Sequence, residues 1–273
     1  YEKEYKNVGV SGQNLLSEKT GYWNINSVQS GLTGSTNYTK EQMVSAFGRV
    51  MYNYKNRYYL TGTIRADGSS KFMNNKWGYF PSGAVAWNIA EEEFMKNQNF
   101  FQSLKLRGSF GVTGNQAINA YGTLGLLTLA NYAYGTSSLY PGYWQSAHSS
   151  PDLTWEKTYS YDAGIDMSIL NHRLTLTVDW YKKNTKDLLF AKTIPYFYGG
   201  GSYWSNVGEM YSTGWEFTLE AYPVRTINFE WSTTLTASYL RTKVTDLDGE
   251  NFLIPDATRG GLMEGNIFIM KEG

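Results

Sequence analysis

The sequence predicts an all-β fold, an antiparallel barrel that crosses a membrane, and three observations carry that prediction. Apolar and polar side chains alternate with period 2 over eight separate stretches, the links between them alternate short and long, and the aromatics on the apolar faces sort into two levels. Each stretch runs to roughly ten residues or more, the length a tilted strand needs to cross a bilayer.

In chain order, the first stretch sets Val44, Val50, Tyr52 and Tyr54 against Ser45, Arg49 and Asn53. A tight turn at Lys55-Asn56-Arg57 leads into the second, where Tyr58, Leu60 and Ile64 oppose Thr61, Thr63 and Arg65. The third, over about 79–89, sets Val85, Trp87 and Ile89 against Ser82, Ala84 and Asn88. In the fourth, 103–114, Leu104, Leu106, Phe110 and Val112 oppose Lys105, Arg107, Ser109 and Thr113. The pattern is cleanest over 155–169, with Tyr159, Tyr161, Ala163, Ile165 and Met167 on one side and Glu156, Thr158, Ser160, Asp162, Asp166 and Ser168 on the other. A turn at 170–172 makes this a hairpin with the sixth stretch, Leu174, Leu176, Val178 and Trp180 against Arg173, Thr175, Thr177 and Asp179. Trp215, Phe217 and Leu219 then oppose Glu216, Thr218 and Glu220, and after a link at 223–227 Phe229, Trp231, Leu235 and Tyr239 oppose Glu230, Ser232, Thr234, Thr236 and Ser238.

Because strands alternate in direction, the short links (55–57, 170–172, 223–227) fall at one end and the longest (67–78, 115–154, 185–205, 244 onward) at the other, as in outer-membrane barrels. The link at 90–102 is of medium length, and Glu91-Glu92-Glu93 followed by Phe94 and Met95 predicts a small helix there. Tyr52, Tyr54, Tyr58, Trp87 and Trp231 lie toward the turn end; Tyr159, Tyr161, Trp180 and Tyr239 lie toward the loop end. Two such girdles around an aliphatic band suit amphipathic rings at headgroup level. A soluble sandwich alternates in the same way, with the apolar face buried, so a secreted, soluble β-rich carbohydrate-binding protein is the alternative.

Composition narrows the function classes. There are 24 Lys plus Arg and 24 Asp plus Glu, so the formal net charge is zero and no global field attracts nucleic acid or anionic lipid. The absence of Cys excludes disulfides, thiolate metal sites and a Cys nucleophile, and two histidines, His148 and His172, leave little for a metal site or a catalytic triad. No catalytic residue, metal site or cofactor is expected. Tyr (23), Trp (9) and Gly (28) stand out, Gly against roughly 19 at average usage.

Several motifs in order, Arg65-Ala66-Asp67-Gly68-Ser69-Ser70-Lys71-Phe72, Trp77-Gly78-Tyr79-Phe80-Pro81-Ser82, Leu104 to Gln116, Trp155-Glu156-Lys157-Thr158, Asp179 to Leu189 and Asn206-Val207-Gly208, resemble the barrel of SusC/RagA-type TonB-dependent outer-membrane transporters. The resemblance covers residues 42–245. It implies a 22-stranded barrel, of which residues 1–273 form a sector of about eight or more strands without the plug or the TonB-contacting segment. It further implies an importer of glycans or peptides partnered by a SusD-type surface lipoprotein that lids the pore, with the TonB complex acting through the plug and outer-membrane lipid around the barrel. Nucleic acid is not an expected partner.

Transport needs no catalytic residue, so candidate sites are argued physically. Tyr132, Tyr134, Tyr140, Tyr143 and Trp144 in one long link, and Tyr196, Phe197, Tyr198, Tyr203 and Trp204 around Gly199-Gly200-Gly201 in another, are candidate substrate-binding aromatics. A flat π face stacks on the C–H side of a sugar or on peptide side chains while its polar edge hydrogen-bonds. The same rings could instead pack the loops together or against a lid protein. Arg49, Arg65, Lys105, Arg107, Asp162, Asp166, Asp179, Glu216 and Glu220 share the polar faces and are candidate lumen-lining charges, in contact with solute, with the plug or with one another. The three glycines read as a flexible loop tip.

Overall fold

The computed structural model describes residues 1–15, 28–133, 139–247, 249, 252–253 and 270–271. Their strands are β1 (Glu2–Leu15), β2 (Val28–Tyr54), β3 (Tyr58–Ser69), β4 (Trp77–Asn88), β5 (Phe101–Asn115), β6 (Leu126–Ala133), β7 (Leu139–Ala147), β8 (Glu156–Ile169), β9 (Leu174–Lys186), β10 (Leu189–Thr193), β11 (Ser202–Asn206), β12 (Glu209–Arg225), β13 (Glu230–Asp246), β14 (Phe252–Leu253) and β15 (Met270–Lys271). Nine of them form one antiparallel sheet in the order β1-β2-β3-β4-β5-β8-β9-β12-β13. The eight stretches predicted from alternation are β2, β3, β4, β5, β8, β9, β12 and β13.

The sheet is a single layer. Leu60, Val85, Leu106, Phe110, Trp215, Phe217, Leu235 and Tyr239 all stand exposed on its apolar face, and among the described residues no second sheet covers them. A soluble sandwich would bury that face.

Register shows the strands to be staggered. One row of partners runs Tyr54, Tyr58, Trp87, Leu106, Ile165, Val178, Phe217, Ala237. At β2 and β3 this row sits on the turn. It lies four residues above the end of β8, from Ile165 to Ile169, and eight above the end of β12, from Phe217 to Arg225. Such a progressive offset is the shear of a sheet whose strands tilt around a barrel.

At the turn end, Lys55 and Asn56 (φ +52° and +55°) and Leu170, Asn171 and His172 (φ +57°, +56° and +61°) reverse the chain through the left-handed region. Asn53 and Asn56 bond each other's amides at 2.8–3.0 Å and hold the first turn, while Ser168 and His172 bond at 3.0 Å across the second. The third hairpin differs from expectation: the strands pair as far as Arg225 and Glu230, so the reversal occupies 226–229. Tyr222 and Pro223 form a bulge in β12, which accommodates a proline that cannot donate to the ladder. The expected small helix at 91–95 is two 3-10 turns, Ile89–Glu91 and Glu93–Met95.

Glu92, between those turns, is buried and gathers the turn-end aromatics. It accepts from the Tyr58 hydroxyl (2.6 Å), the Trp87 indole (3.0 Å) and the Arg57 guanidinium (3.3 Å). Tyr54, Tyr58 and Trp87 stack in sequence above it, with centroids 6.5 and 6.3 Å apart.

The buried hydrophobic residues lie at the other end, where the links 70–76, 116–125 and 148–155 close over the strands. Phe72, Phe80, Val112, Ile118, Leu153 and Trp155 form one cluster, with Met43, Tyr159, Leu189 and Trp204 packed against it. Phe80 wedges into the gap where β4 and β5 part above Ser82 and Gly111; its ring occupies the space that a Cβ on Gly78 or Gly114 would need. Asp67, 5% exposed, takes the Arg65 guanidinium at 2.7–2.8 Å, and the Trp155 indole donates to the Lys76 carbonyl at 3.1 Å. The residues that carry the resemblance therefore build the base of the loops. β1 and the first half of β2 were not expected as strands, because residues 2–15 show no continuous apolar stripe; Lys40 salt-bridges Glu2 and Glu4 across them instead.

Two outcomes follow. Ile165→Arg, in the apolar row, should lower refolding stability in lipid vesicles by about 2–4 kcal/mol, and Asp166→Arg, on the opposite face, by less; denaturant titration of both measures the difference. Hydrogen bonds, chiefly from Tyr58 and then from Trp87, together with the Arg57 charge, hold the Glu92 carboxyl below its ordinary value of 4.5. A carboxyl with a depressed folded-state pKa stabilises fully above its unfolded value, and that contribution is lost as pH falls through the folded value. Melting temperature should therefore drop below about pH 4.5, and Glu92→Gln should flatten that part of the profile.

Candidate functional site

The polar face of the sheet carries a charge cluster at its centre. Arg107 on β5 reaches across β8: its Nε donates to Asp166 Oδ2 at 2.9 Å, and its Nη2 lies 2.8 Å from Asp179 Oδ1 on β9. Gly164 sits between Arg107 and Asp179 in register, and a Cβ there would collide with both side chains. Thr177 adds a hydroxyl to Asp166 at 3.2 Å, and Ser109 bonds Asp162 at 3.1 Å.

The remaining candidates on this face are engaged differently. Arg49 donates to Thr63 at 3.2 Å, Arg65 is held by Asp67, and Lys105 lies over the Tyr59 ring at 5.5 Å. Glu216 and Glu220 are exposed on β12, with Glu216 beside Asp179 in register. Among these candidates, the cations lie on β2, β3 and β5 and the carboxylates on β8, β9 and β12. An open recess of about 210 Å³ runs between Tyr59, Ala84, Lys105, Arg107, Ser109 and Asp162. Among the described residues, no cluster of three His, Asp or Glu side chains could hold a metal ion.

At the loop end, β6 and β7 from one long link and β10 and β11 from the other join in a four-stranded sheet, ordered β10-β11-β7-β6. Sequence reasoning missed these strands because they are short and interrupted by Pro141 and Gly142. The parallel contact between the links is one pair, Ser202 with Ala147. It is reinforced by His148, whose backbone N–H donates to Ser202 O at 2.8 Å and whose Nε2 donates to Gly200 O at 3.1 Å. Gly199, Gly200 and Gly201 all take positive φ (+107°, +70°, +86°), and a Cβ on Gly201 would strike the Gln145 and Ser146 backbone. Gly200 and Gly201 are therefore docked between the links, and only Gly199 has the open surroundings of a loop tip.

The candidate aromatics divide into two groups. Tyr132, Tyr140 and Tyr143 stand exposed on β6 and β7, and Tyr196, Phe197 and Tyr198 project from a 3-10 turn at 75–89% exposure. Trp144 and Tyr203 are half-buried, and Trp204 packs against the Phe72–Trp155 cluster with its indole over Gly122. Tyr134 lies outside the described residues.

A tilted single-layer antiparallel sheet, apolar on one face and polar on the other, with short turns at one end and folded links at the other, defines a sector of an outer-membrane β-barrel. The model of the TonB dependent receptor-like β-barrel matches residues 3–261, and the chain belongs to that family, within it to the SusC/RagA type. The chain is 42% identical over 241 residues to "TonB-dependent receptor P26" of Formosa agariphila, covering 88% of this chain and 24% of that protein. Over 216 residues it is 36% identical to "TonB-dependent receptor SusC" of Bacteroides thetaiotaomicron, covering 77% and 22% respectively. Its structure superposes on "Structure of the RagAB peptide transporter" with a TM-score of 0.82 at 28% identity, covering 94% of this chain and 28% of that one. The chain thus spans about a quarter of the length of these relatives, all receptors or transporters by name, and it is an outer-membrane protein.

The two groups of aromatics should respond differently to truncation. Trp204→Ala should cost about 2–3 kcal/mol, below the 3–5 of a fully buried Trp, and expose the two links to limited proteolysis. Tyr198→Ala should leave the proteolysis pattern unchanged.

Proposed function

We propose that this chain is a sector of a TonB-energised outer-membrane nutrient importer, taking up glycans or peptides together with a SusD-type surface lipoprotein. The observation that carries this is the hydrogen-bonded platform at the loop end: two long links, joined at Ser202, Ala147 and His148, hold Tyr132, Tyr140, Tyr143, Tyr196, Phe197 and Tyr198 exposed. Rings kept in the open by an ordered scaffold gain from being covered, by a solute or by a lid. The RagAB neighbour, a peptide transporter, supports an oligomeric solute. On this reading the polar face lines the lumen, the Arg107–Asp166–Asp179 cluster stiffens the wall, and Arg49, Lys105, Asp162, Glu216 and Glu220 meet solute or plug. The plug and the TonB-contacting segment belong to the whole transporter. The exposed apolar face argues against the secreted carbohydrate-binding alternative.

Replacing Tyr143, Tyr196 and Tyr198 by Ala in the full-length transporter should weaken binding of oligosaccharide, peptide or lipoprotein. An anchor ring would contribute about 2 kcal/mol, roughly thirtyfold in Kd. Calorimetry against each class separates them, and unchanged affinity for all three would assign these rings to loop packing.

A further inference from the structure

The apolar face does not stay apolar to its loop-end edge. One row holds Trp180, Trp215 and Tyr239 side by side on β9, β12 and β13. Two residues further toward the loops, on the same face, the row reads Tyr161, Lys182, Thr213, Arg241, and two beyond that Tyr159, Asn184, Tyr211, Lys243. Three cations therefore follow the aromatic girdle directly. They point to the side of the sheet that faces lipid, opposite the Arg107 cluster.

Their partners are unusual for surface cations. Nearby Lys186 pairs with Glu209 at 2.9 Å, but among the described residues no carboxylate pairs with Lys182, Arg241 or Lys243. Lys182 instead lies over the Tyr211 ring at 5.8 Å, which keeps its ammonium against the apolar face. Neighbouring strands are about 4.8 Å apart, so Lys182 and Arg241, with β12 between them, have backbones about 10 Å apart. Side chains of this length can converge over Thr213 on a single anionic group. A bare cation at this depth borders hydrocarbon on one side and lipid headgroups on the other.

We propose that Lys182, Arg241 and Lys243 form a binding site for a phosphate-bearing lipid headgroup of the outer leaflet, with Trp180, Trp215 and Tyr239 packing against its acyl chains. Arg241 supplies a planar fork matched to phosphate oxygens, and the two lysines supply point charges. The site lies outside the importer's solute path and rests only on the face assignment, so it stands or falls independently of the proposed substrate. The chain's zero net charge conceals it, because a whole-chain sum does not record which face or link each charge occupies.

The test uses the full-length transporter in phosphatidylcholine nanodiscs, with phosphorylated lipid A or its dephosphorylated form added, and native mass spectrometry as readout. Phosphorylated lipid A should be retained in preference to the dephosphorylated form. Lys182→Gln, Arg241→Gln and Lys243→Gln together should reduce retention at least tenfold, and each single variant, which keeps folding intact, should reduce it partly. Lys183→Gln, one residue along and on the polar face, should change nothing. Equal retention of both lipids, undiminished retention in the variants, or equal loss in Lys183→Gln would overturn the assignment. So would neutralisation of the three cations by an acidic loop of a bound lipoprotein, seen as lipid retention that is absent until the lipoprotein is removed.

Discussion

A strand in hydrocarbon has no water to bond, so every backbone N–H and C=O must be paired with a neighbouring strand, and the rest of this structure follows from that requirement. It forces long, unbroken antiparallel ladders such as those joining β8, β9 and β12. It leaves side chains as the only variable, one face for lipid and one for the interior. It also confines irregular backbone to the ends, where water or packed loops supply partners. Of the two prolines inside spanning strands, Pro223 sits at a bulge and Pro81 lies one residue beyond Ser82, where the β4–β5 pairing ends.

The same constraint explains which parts of the fold were legible. Where a strand meets lipid, its apolar face must be continuous, so the eight spanning strands announce themselves by period 2, as Leu174, Leu176, Val178 and Trp180 do. Above the membrane the obligation lapses. β1 pairs with the upper half of β2 through polar and glycine residues and a Lys40–Glu2–Glu4 network, and alternation has nothing to report there. β6, β7, β10 and β11 escaped for a related reason, since strands of five to nine residues folded over a platform need no uniform face. Residue types named the loop aromatics, but they do not tell a ring that packs from one that projects. Trp204 and Tyr198 are separated only by what lies beneath them, Gly122 and the buried cluster in one case and solvent in the other.

The motif residues show how stability and function are divided along the strand axis. In the spanning region the sheet has no core of its own, and packing is supplied by whatever lies on either side. Buried side chains gather at the loop end instead, where Phe80 fills the splay between β4 and β5 and needs glycine at 78 and 114. Arg65, expected to line the lumen, spends its guanidinium on buried Asp67 in this base. Asn206 accepts from the Thr154 backbone N–H at 2.8 Å and donates to the carbonyls of Thr154 and Asp187, which ties the two platform-bearing links to it. A recognition surface on long loops loses affinity to loop entropy unless the loops are ordered beforehand, and this base orders them.

Charge placement obeys the same geometry at finer scale. On the polar face, Arg107 pairs with two carboxylates across three strands because alternation puts Arg107, Gly164 and Asp179 in one row, and the glycine leaves the gap open. On the lipid face no such compensation is needed until the strand leaves the hydrocarbon, and there Lys182, Arg241 and Lys243 appear two to four residues beyond the girdle. The spacing is legible in the sequence once the faces are assigned: Trp180 then Lys182, Tyr239 then Arg241 then Lys243. A count of total charge averages this away. The physical information lies in which side of the sheet each charge occupies and how far it stands from the nearest ring at the interface.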